Sequence, residues 1–129
     1  MSISTLCTYR LHPSITVISI ETTRTQVQIS ELAPGTIITP HCGNTNLRLR
    51  IHLPIRVPCV SCAGLHVQGA QIVHWNEGEA FAFDDSYEHE AWHNVSEELN
   101  PTNLSRIVLI VDIWHPDVDD ELREKLLLV

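Results

Sequence analysis

The chain has 129 residues, 43% of them hydrophobic and 19% charged, which is the composition of a globular protein and not of a disordered segment. Its formal net charge of -8 argues against nucleic-acid binding, because neutralising phosphates requires a surplus of lysine and arginine. This length suits one domain over residues 1–129. No secretory signal opens the chain and no apolar run is long enough to span a bilayer, so a cytoplasmic protein without membrane contact is expected.

Short β-strands are predicted along most of the chain, because valine, isoleucine and threonine recur between turn residues. In chain order the predicted strands are 15–20, 26–33, 36–39, the segment around 47–53, 62–67 with 71–75 as a hairpin, 80–83, 91–94 and 106–114. The last of these is nearly continuous in apolar residues, which indicates a central strand. From residue 116 onward acidic residues precede basic ones, the order that a helix dipole favours. The pattern predicts an all-β jelly-roll barrel with a short C-terminal helix.

Residues 40–58, PHCGNTNLRLRIHLPIRVP, concentrate the polar chemistry of the chain. At period two, Arg48, Arg50 and His52 share one face of a strand, while leucine and isoleucine occupy the other. A solvated edge strand is one interpretation of this pattern. The apolar flanks favour the other, a strand that projects its cations into a pocket and requires an anion there.

The cysteines are expected to be reduced, because nothing in the sequence indicates a secretory context. Cys59 and Cys62 form a CxxC motif, but a zinc ribbon would need a second such pair. The motif also follows Pro58 among strands and does not open a helix. We therefore interpret the two cysteines as small apolar residues packed together.

Two histidines stand out by their context, His41 after a turn and His89 after an acidic turn. Positions separated by several strands can converge in a small β-barrel, where neutral imidazoles bind a metal. The chain has eight histidines, and most of them are expected to be surface residues or hydrogen-bonded core residues.

Three strings carry a resemblance: PGTxxxPHxGxTNxRLRxHL at 34–53, WxEGxxxxFDDSxEHExW at 75–92 and RxxLxVDxWHP at 106–116. They resemble the aspartyl/asparaginyl β-hydroxylase family, in order and with compatible spacing. The resemblance implies a double-stranded β-helix of the cupin-like type. It also implies an oxygenase that uses Fe(II), dioxygen and the cosubstrate 2-oxoglutarate.

The resemblance implies that His41 and His89 bind the iron. The wider superfamily has a carboxylate ligand two residues after the first histidine, where this chain, like the family it resembles, has Gly43. Asp85 matches an acidic residue that acts from outside the ligand set, for instance by holding an iron-bound water or a ligand histidine. The alternative for Asp85 is a carboxylate that caps a turn.

The resemblance also implies a 2-oxoglutarate site, formed by Ser30, Arg50, His52 and Arg106. Arg106 and Ser30 are assigned to the distal carboxylate, because a guanidinium and a hydroxyl bind such a group by charge-assisted hydrogen bonds. Arg50 and His52 are assigned to the iron-bound end. Arg48 is predicted to face the substrate, and its alternative is an arginine at the solvent-exposed rim.

The expected function is an Fe(II)/2-oxoglutarate-dependent dioxygenase that hydroxylates or otherwise oxidises a small molecule in a biosynthetic pathway. A small molecule is favoured because the fullest family members carry a long preceding segment that grips a peptide, and this chain begins shortly before the domain. Hydroxylation of Asp or Asn side chains in a protein is an alternative. Another is a non-oxidative isomerase or cyclase in the same pocket. The apolar end, residues 126–129, suits either a homodimer contact or core packing.

Overall fold

The computed structural model describes residues 15–21 and 26–127, with side chains from residue 26 to residue 126. This part of the chain forms eight strands, a short 3-10 helix (Val60–Cys62) and one α-helix. The elements are β1 (Ile15–Glu21), β2 (Gln26–Leu32), β3 (Thr36–His41), β4 (Arg48–Arg56), β5 (Ala63–Val67), β6 (Phe81–Phe83), β7 (His89–His93), β8 (Arg106–Trp114) and α1 (Asp120–Leu127). Predictions about the first 14 residues lie outside the described part.

The strands form two antiparallel sheets. One has five strands in the order β1-β2-β8-β4-β6, and the other has three in the order β3-β7-β5. The strand predicted to be central, β8, lies third in the larger sheet, between β2 and β4. The prediction of an all-β architecture with a C-terminal helix is therefore confirmed.

The larger sheet turns a mixed polar and apolar face to the interior. Along β8 the buried residues alternate as Arg106, Val108, Ile110 and Asp112, and the aliphatic residues between them are partly exposed. On β4 the buried residues are Arg50, His52 and Pro54. The predicted alternation of β4 is thus confirmed, and two of its polar side chains point into the barrel, away from solvent.

Apolar residues from both sheets form the hydrophobic core. Its buried members are Val57, Ala63, Leu65, Trp75, Ala91, Val108 and Ile110, with Ile38, Val67, Phe81 and Phe83 packed against them. Polar groups and core therefore share the space between the sheets, so each polar group there needs a partner inside the protein or a ligand.

The predicted hairpin after β5 is only partly present. Gly69 has φ +79 and makes the turn, but only one bridge, between Leu65 and Val73, joins the two arms in the described residues. β5 forms its ladder with β7 instead. Trp75 leaves the strand direction and becomes fully buried, because its large ring gains more from the core than from an edge ladder.

The helix begins at Asp120, four residues later than the charge pattern alone indicated. Asp119 caps it by accepting a hydrogen bond of 2.7 Å from the backbone N–H of Leu122. Asp120 and Glu121 lie in the first turn and Lys125 in the last, as predicted. Among the described residues, no helix has both the length and the apolar character that crossing a bilayer requires.

The prediction of reduced cysteines is wrong for Cys59 and Cys62, which form a disulfide. The tight turn of Val60–Cys62 brings the two Cα atoms to 5.3 Å, within the range that a disulfide spans. Sequence spacing alone could not reveal this, because a CxxC motif fits several backbone shapes.

Candidate active site

The two predicted metal ligands lie side by side in the smaller sheet. His41 ends β3 and His89 begins β7, and the two are paired across the strands after a register shift between Ile38 and His41. Their ring centroids are 4.3 Å apart. The irregularity matters because it changes which residues of β3 stand opposite the start of β7.

Each of these histidines is held in the same way by its own backbone. Nδ1 of His41 lies 2.8 Å from the carbonyl oxygen of Thr39, and Nδ1 of His89 lies 2.8 Å from that of Tyr87. A carbonyl only accepts, so Nδ1 carries a proton in both rings, and in a neutral ring Nε2 then carries the lone pair. Burial lowers the pKa of His89, which favours the neutral ring that a metal requires.

Two oriented imidazoles fit a metal ion that takes nitrogen ligands. Within the described residues, no third His, Cys, Asp or Glu joins them in a metal-binding group. Gly43, two residues after His41, has no room for a side chain because Asp85 fills the space beside it. A Cβ built on Gly43 would lie 2.5 Å from Oδ2 of Asp85.

Asp85 is buried behind Gly43, with 1% of its surface exposed. Its backbone carbonyl accepts a hydrogen bond of 2.6 Å from the N–H of Gly43. The turn-capping role that the sequence left open belongs to its neighbour Asp84, whose carboxylate accepts from the N–H and hydroxyl of Ser86. Asp85 is therefore positioned to act on the site from behind the glycine.

Gly43→Ala is expected to destabilise the protein by about 1–3 kcal/mol, because the added methyl group meets a short, buried carboxylate. In an Asp85→Ala background the same substitution should cost much less, since the space is then open. Urea unfolding of the four proteins in this cycle measures the difference. Additive costs would show that Gly43 and Asp85 do not share that space.

Arg48 and Arg50 are paired with two aspartates. Arg50 donates from Nε and Nη2 to the two oxygens of Asp112, at 2.8 and 2.9 Å. Arg48 lies 3.4 Å from the same carboxylate, and both guanidiniums lie within 3.7 Å of Asp85. For these two arginines, the anion that the sequence required is supplied by the chain itself.

Asp112 was missed by the sequence interpretation. The available signal was its position, since it is the one carboxylate within the apolar strand β8 and falls on the inward register. A cosubstrate role for Arg50 and a substrate role for Arg48 remain predictions. The side chain of Arg48 is 25% exposed, which places it toward the rim.

Arg106 differs from the other two arginines. It is buried, and Nη2 donates to the hydroxyl of Ser30 at 2.8 Å. Its guanidinium carbon lies 4.4 Å from the ring centroid of Trp75. Within the described residues no carboxylate pairs with it, and burial lowers its pKa to about 9. A buried guanidinium without a carboxylate partner favours a bound anion.

His52 lies between the histidine pair and Arg106. The indole N–H of Trp75 donates to Nδ1 of His52 at 3.1 Å. Burial, followed by the charges of nearby Arg106 and Arg50, holds the pKa of His52 well below its usual value. The rings of His52 and Phe83 are 5.0 Å apart, and Phe83 is 5.3 Å from His89.

These contacts connect six of the eight predicted site residues in one continuous arrangement. The six are His41, His89, Asp85, Arg48, Arg50 and His52. The other two, Ser30 and Arg106, lie beyond Trp75 at its far end. The sequence did not distinguish Phe83 and Trp75 from ordinary core residues, because aromatic side chains are as typical of a hydrophobic core as of a binding site.

Stability should fall as the pH drops below about 6.5, because burial lowers the pKa of His52 and of His93 in the folded state. The unfolded chain then binds more protons, so the loss runs from the unfolded pKa down through the folded values, at up to about 1.4 kcal/mol per pH unit for each histidine. His93→Asn, which can keep the hydrogen bond to the Leu32 carbonyl, should remove the contribution of His93 to this pH dependence. Urea unfolding of both proteins at pH 7 and pH 5.5 tests this. An equal loss of unfolding free energy between the two pH values in the wild type and in His93→Asn would contradict it.

A family model described as aspartyl/asparaginyl beta-hydroxylase matches residues 5–116. The aspartyl/asparaginyl beta-hydroxylase of Homo sapiens is 38% identical over 103 residues, which are 80% of this chain and 12% of that protein. Aspartate beta-hydroxylase domain-containing protein 2 of Xenopus tropicalis is 46% identical over 90 residues, which are 70% of this chain and 22% of that protein. The chain thus spans less than a quarter of the length of these two relatives.

Solved structures with similar folds include cupins. The cupin domain of an XRE family transcriptional regulator from Enterobacter cloacae has a TM-score of 0.60 at 11% identity, covering 79% of this chain and 98% of that one. An RmlC-like cupin protein from Desulfovibrio desulfuricans has a TM-score of 0.56 at 13% identity, covering 88% and 95%. At these identities the likeness concerns the fold alone, and it confirms the cupin-like barrel.

Proposed function

Because the chain belongs to the aspartyl/asparaginyl β-hydroxylase family, we propose that it is an Fe(II)- and 2-oxoglutarate-dependent dioxygenase. The names of its relatives support a hydroxylase. The observation that carries the proposal is the occurrence of two oriented imidazoles near a buried arginine that has no carboxylate partner in the described residues. In this proposal a metal ion would bind the two imidazoles, and a carboxylate of a bound diacid would pair with the arginine.

In this proposal His41 and His89 hold the iron through Nε2, since their backbone contacts fix Nδ1 as the protonated nitrogen. Arg106 and Ser30 hold the distal carboxylate of 2-oxoglutarate by charge-assisted hydrogen bonds. His52 lies between these two ends and offers an N–H to the acid.

Iron and 2-oxoglutarate, when bound, supply the oxidation: one atom of dioxygen enters the substrate as hydroxyl, and the other enters succinate as carbon dioxide leaves. The chain contributes position and environment. Asp85 and Asp112 keep Arg48 and Arg50 in place, so the cationic face of β4 is fixed before any ligand arrives. The aromatic ring of Phe83 keeps the space beside His52 and His89 apolar.

The proposed substrate is a small molecule that carries an acidic group, which Arg48 at the rim would recognise. Aspartyl or asparaginyl side chains of a protein form the second candidate, because the names of the relatives specify them. Both candidates would undergo the same oxidation, and they differ only in whether a small molecule or a protein side chain contacts the rim of the site.

Anaerobic addition of Fe(II) and 2-oxoglutarate to the purified protein should produce a visible charge-transfer band between iron and the keto acid. His41→Ala should remove that band. Well-folded wild-type protein without the band would refute the oxygenase proposal.

The substrate is then sought by adding dioxygen with candidate small acids in one arm and with an aspartyl peptide in the other. Mass spectrometry should find a product one oxygen atom heavier together with succinate. A product that forms without dioxygen and 2-oxoglutarate would instead indicate an isomerase or cyclase.

A further inference from the structure

Trp75 makes two directed contacts that core packing does not require. It is fully buried in the segment between β5 and β6. Its indole N–H donates to Nδ1 of His52, and its ring face lies against the guanidinium of Arg106. One side chain therefore touches two of the groups assigned to the acid site.

The first contact determines which nitrogen of His52 carries the proton. An indole nitrogen only donates, so Nδ1 of His52 must present its lone pair to Trp75. In a neutral imidazole the proton then lies on Nε2. The imidazole and indole planes are 18° apart, and Phe81 and Phe83 lie against the imidazole at 5.5 and 5.0 Å. The ring is thus fixed in both tautomer and orientation.

The second contact holds the cation. Arg106 is anchored at one nitrogen by Ser30 and over its face by the indole ring, with 4.4 Å from Cζ to the ring centroid. Guanidinium stacking on tryptophan is favourable and stronger where water is excluded. The contact also provides an environment for a buried charge that lacks a carboxylate partner within the described residues.

We propose that Trp75 is a positioning residue of the acid site, which makes His52 present an N–H donor and holds the Arg106 guanidinium in the plane that receives a carboxylate. The identity of the acid, 2-oxoglutarate, rests on the proposed function. The hold on His52 rests on the contact geometry alone.

The tautomer is measured by nitrogen NMR of histidine in the metal-free and ligand-free protein, with His52→Gln used to assign the signal. The wild type should show the proton on Nε2 and a lone pair on Nδ1. In Trp75→Phe, which keeps an aromatic face for Arg106 but has no N–H, the two tautomers should mix. Trp92→Phe is the matched control, because Trp92 packs over Gly64 and has no contact with His52, so it should change nothing.

A binding cycle separates positioning from packing. Trp75→Phe should weaken 2-oxoglutarate binding by about tenfold, the usual effect of one charge-assisted hydrogen bond. In a His52→Gln background the same change should have little effect, because an amide offers an N–H without help from Trp75. Equal losses in both backgrounds would show that Trp75 acts only by packing and would overturn the proposal.

The outcomes for the two proposals are distinct. If the wild type fails to bind 2-oxoglutarate but shows the Nε2 proton, the oxygenase proposal fails and the hold of Trp75 on His52 stands. If the acid binds and the wild type shows the proton on Nδ1, the positioning role of Trp75 is wrong. This measurement needs only the wild type and the His52→Gln protein that assigns the signal, so it decides the matter even if Trp75→Phe does not fold.

Discussion

Replacing Arg106 with methionine is expected to weaken 2-oxoglutarate binding severely while leaving the protein at least as stable as the wild type. The guanidinium is buried with a hydroxyl and an aromatic face as its contacts, and burial lowers its pKa to about 9. Removing a buried charge that lacks a carboxylate partner relieves its desolvation penalty, and a thioether packs well on Trp75. Loss of the charge pair to the ligand should weaken binding by about 100-fold or more.

The measurement is thermal or urea unfolding with and without 2-oxoglutarate and a divalent metal. The wild type should gain about 2.7 kcal/mol when the ligand is present at a hundred times its Kd, and Arg106→Met should gain almost none. Arg56→Met is the matched control, because Arg56 lies on neighbouring β4 and donates to the carbonyl of Ser105 outside the site. A large drop in stability without ligand would mean that Arg106 serves the fold instead of a ligand.

Alanine at His41 or at His89 is expected to reduce the affinity for Fe(II) by more than about 100-fold. In the proposed iron site these two histidines are the protein's ligands, so each substitution removes half of the protein's donors. Even partners behind the ligands are worth about 10–100-fold in metal affinity. Titration under anaerobic conditions, or with Co(II) as a spectroscopic substitute, measures the loss.

His66→Ala serves as the control for this experiment. His66 lies on β5 and pairs with Glu90 across the strands, with 41% of its side chain exposed. The change from histidine to alanine is the same, but the metal affinity should stay at the wild-type value. Equal effects at His66 and His41 would show that metal binds nonspecifically to surface histidines.

Alternation along the strands was readable from the sequence because it is a local property. Period two placed Arg50 and His52 on the inner face of β4, and the apolar run of β8 predicted its central place. The charge order of the C-terminal helix was equally local. These features follow from neighbouring residues, so no knowledge of distant contacts was needed.

The contacts within the site depend on strand pairing and could not be read in the same way. His41 faces His89 only because β3 shifts register before it pairs with β7. Asp112 reaches Arg50 across the β4–β8 ladder, 62 residues along the chain. The tautomer of His52 depends on where a loop places one indole nitrogen. Family resemblance suggested which residues matter, and only the fold shows how they touch.

The distribution of charge also governs how fast an anion arrives. The chain has eight lysines and arginines against sixteen acidic residues, and three of the eight, Arg48, Arg50 and Arg106, lie in or at the edge of the site. Asp85 and Asp112 lie in the site as well, so five basic and fourteen acidic residues remain outside it, a balance of -9 against -8 for the whole chain. An acidic excess of this size repels a dianion at long range. Because ions screen such repulsion over about 10 Å at 0.1 M salt, moderate ionic strength should speed the association of a dicarboxylate, the reverse of electrostatic steering.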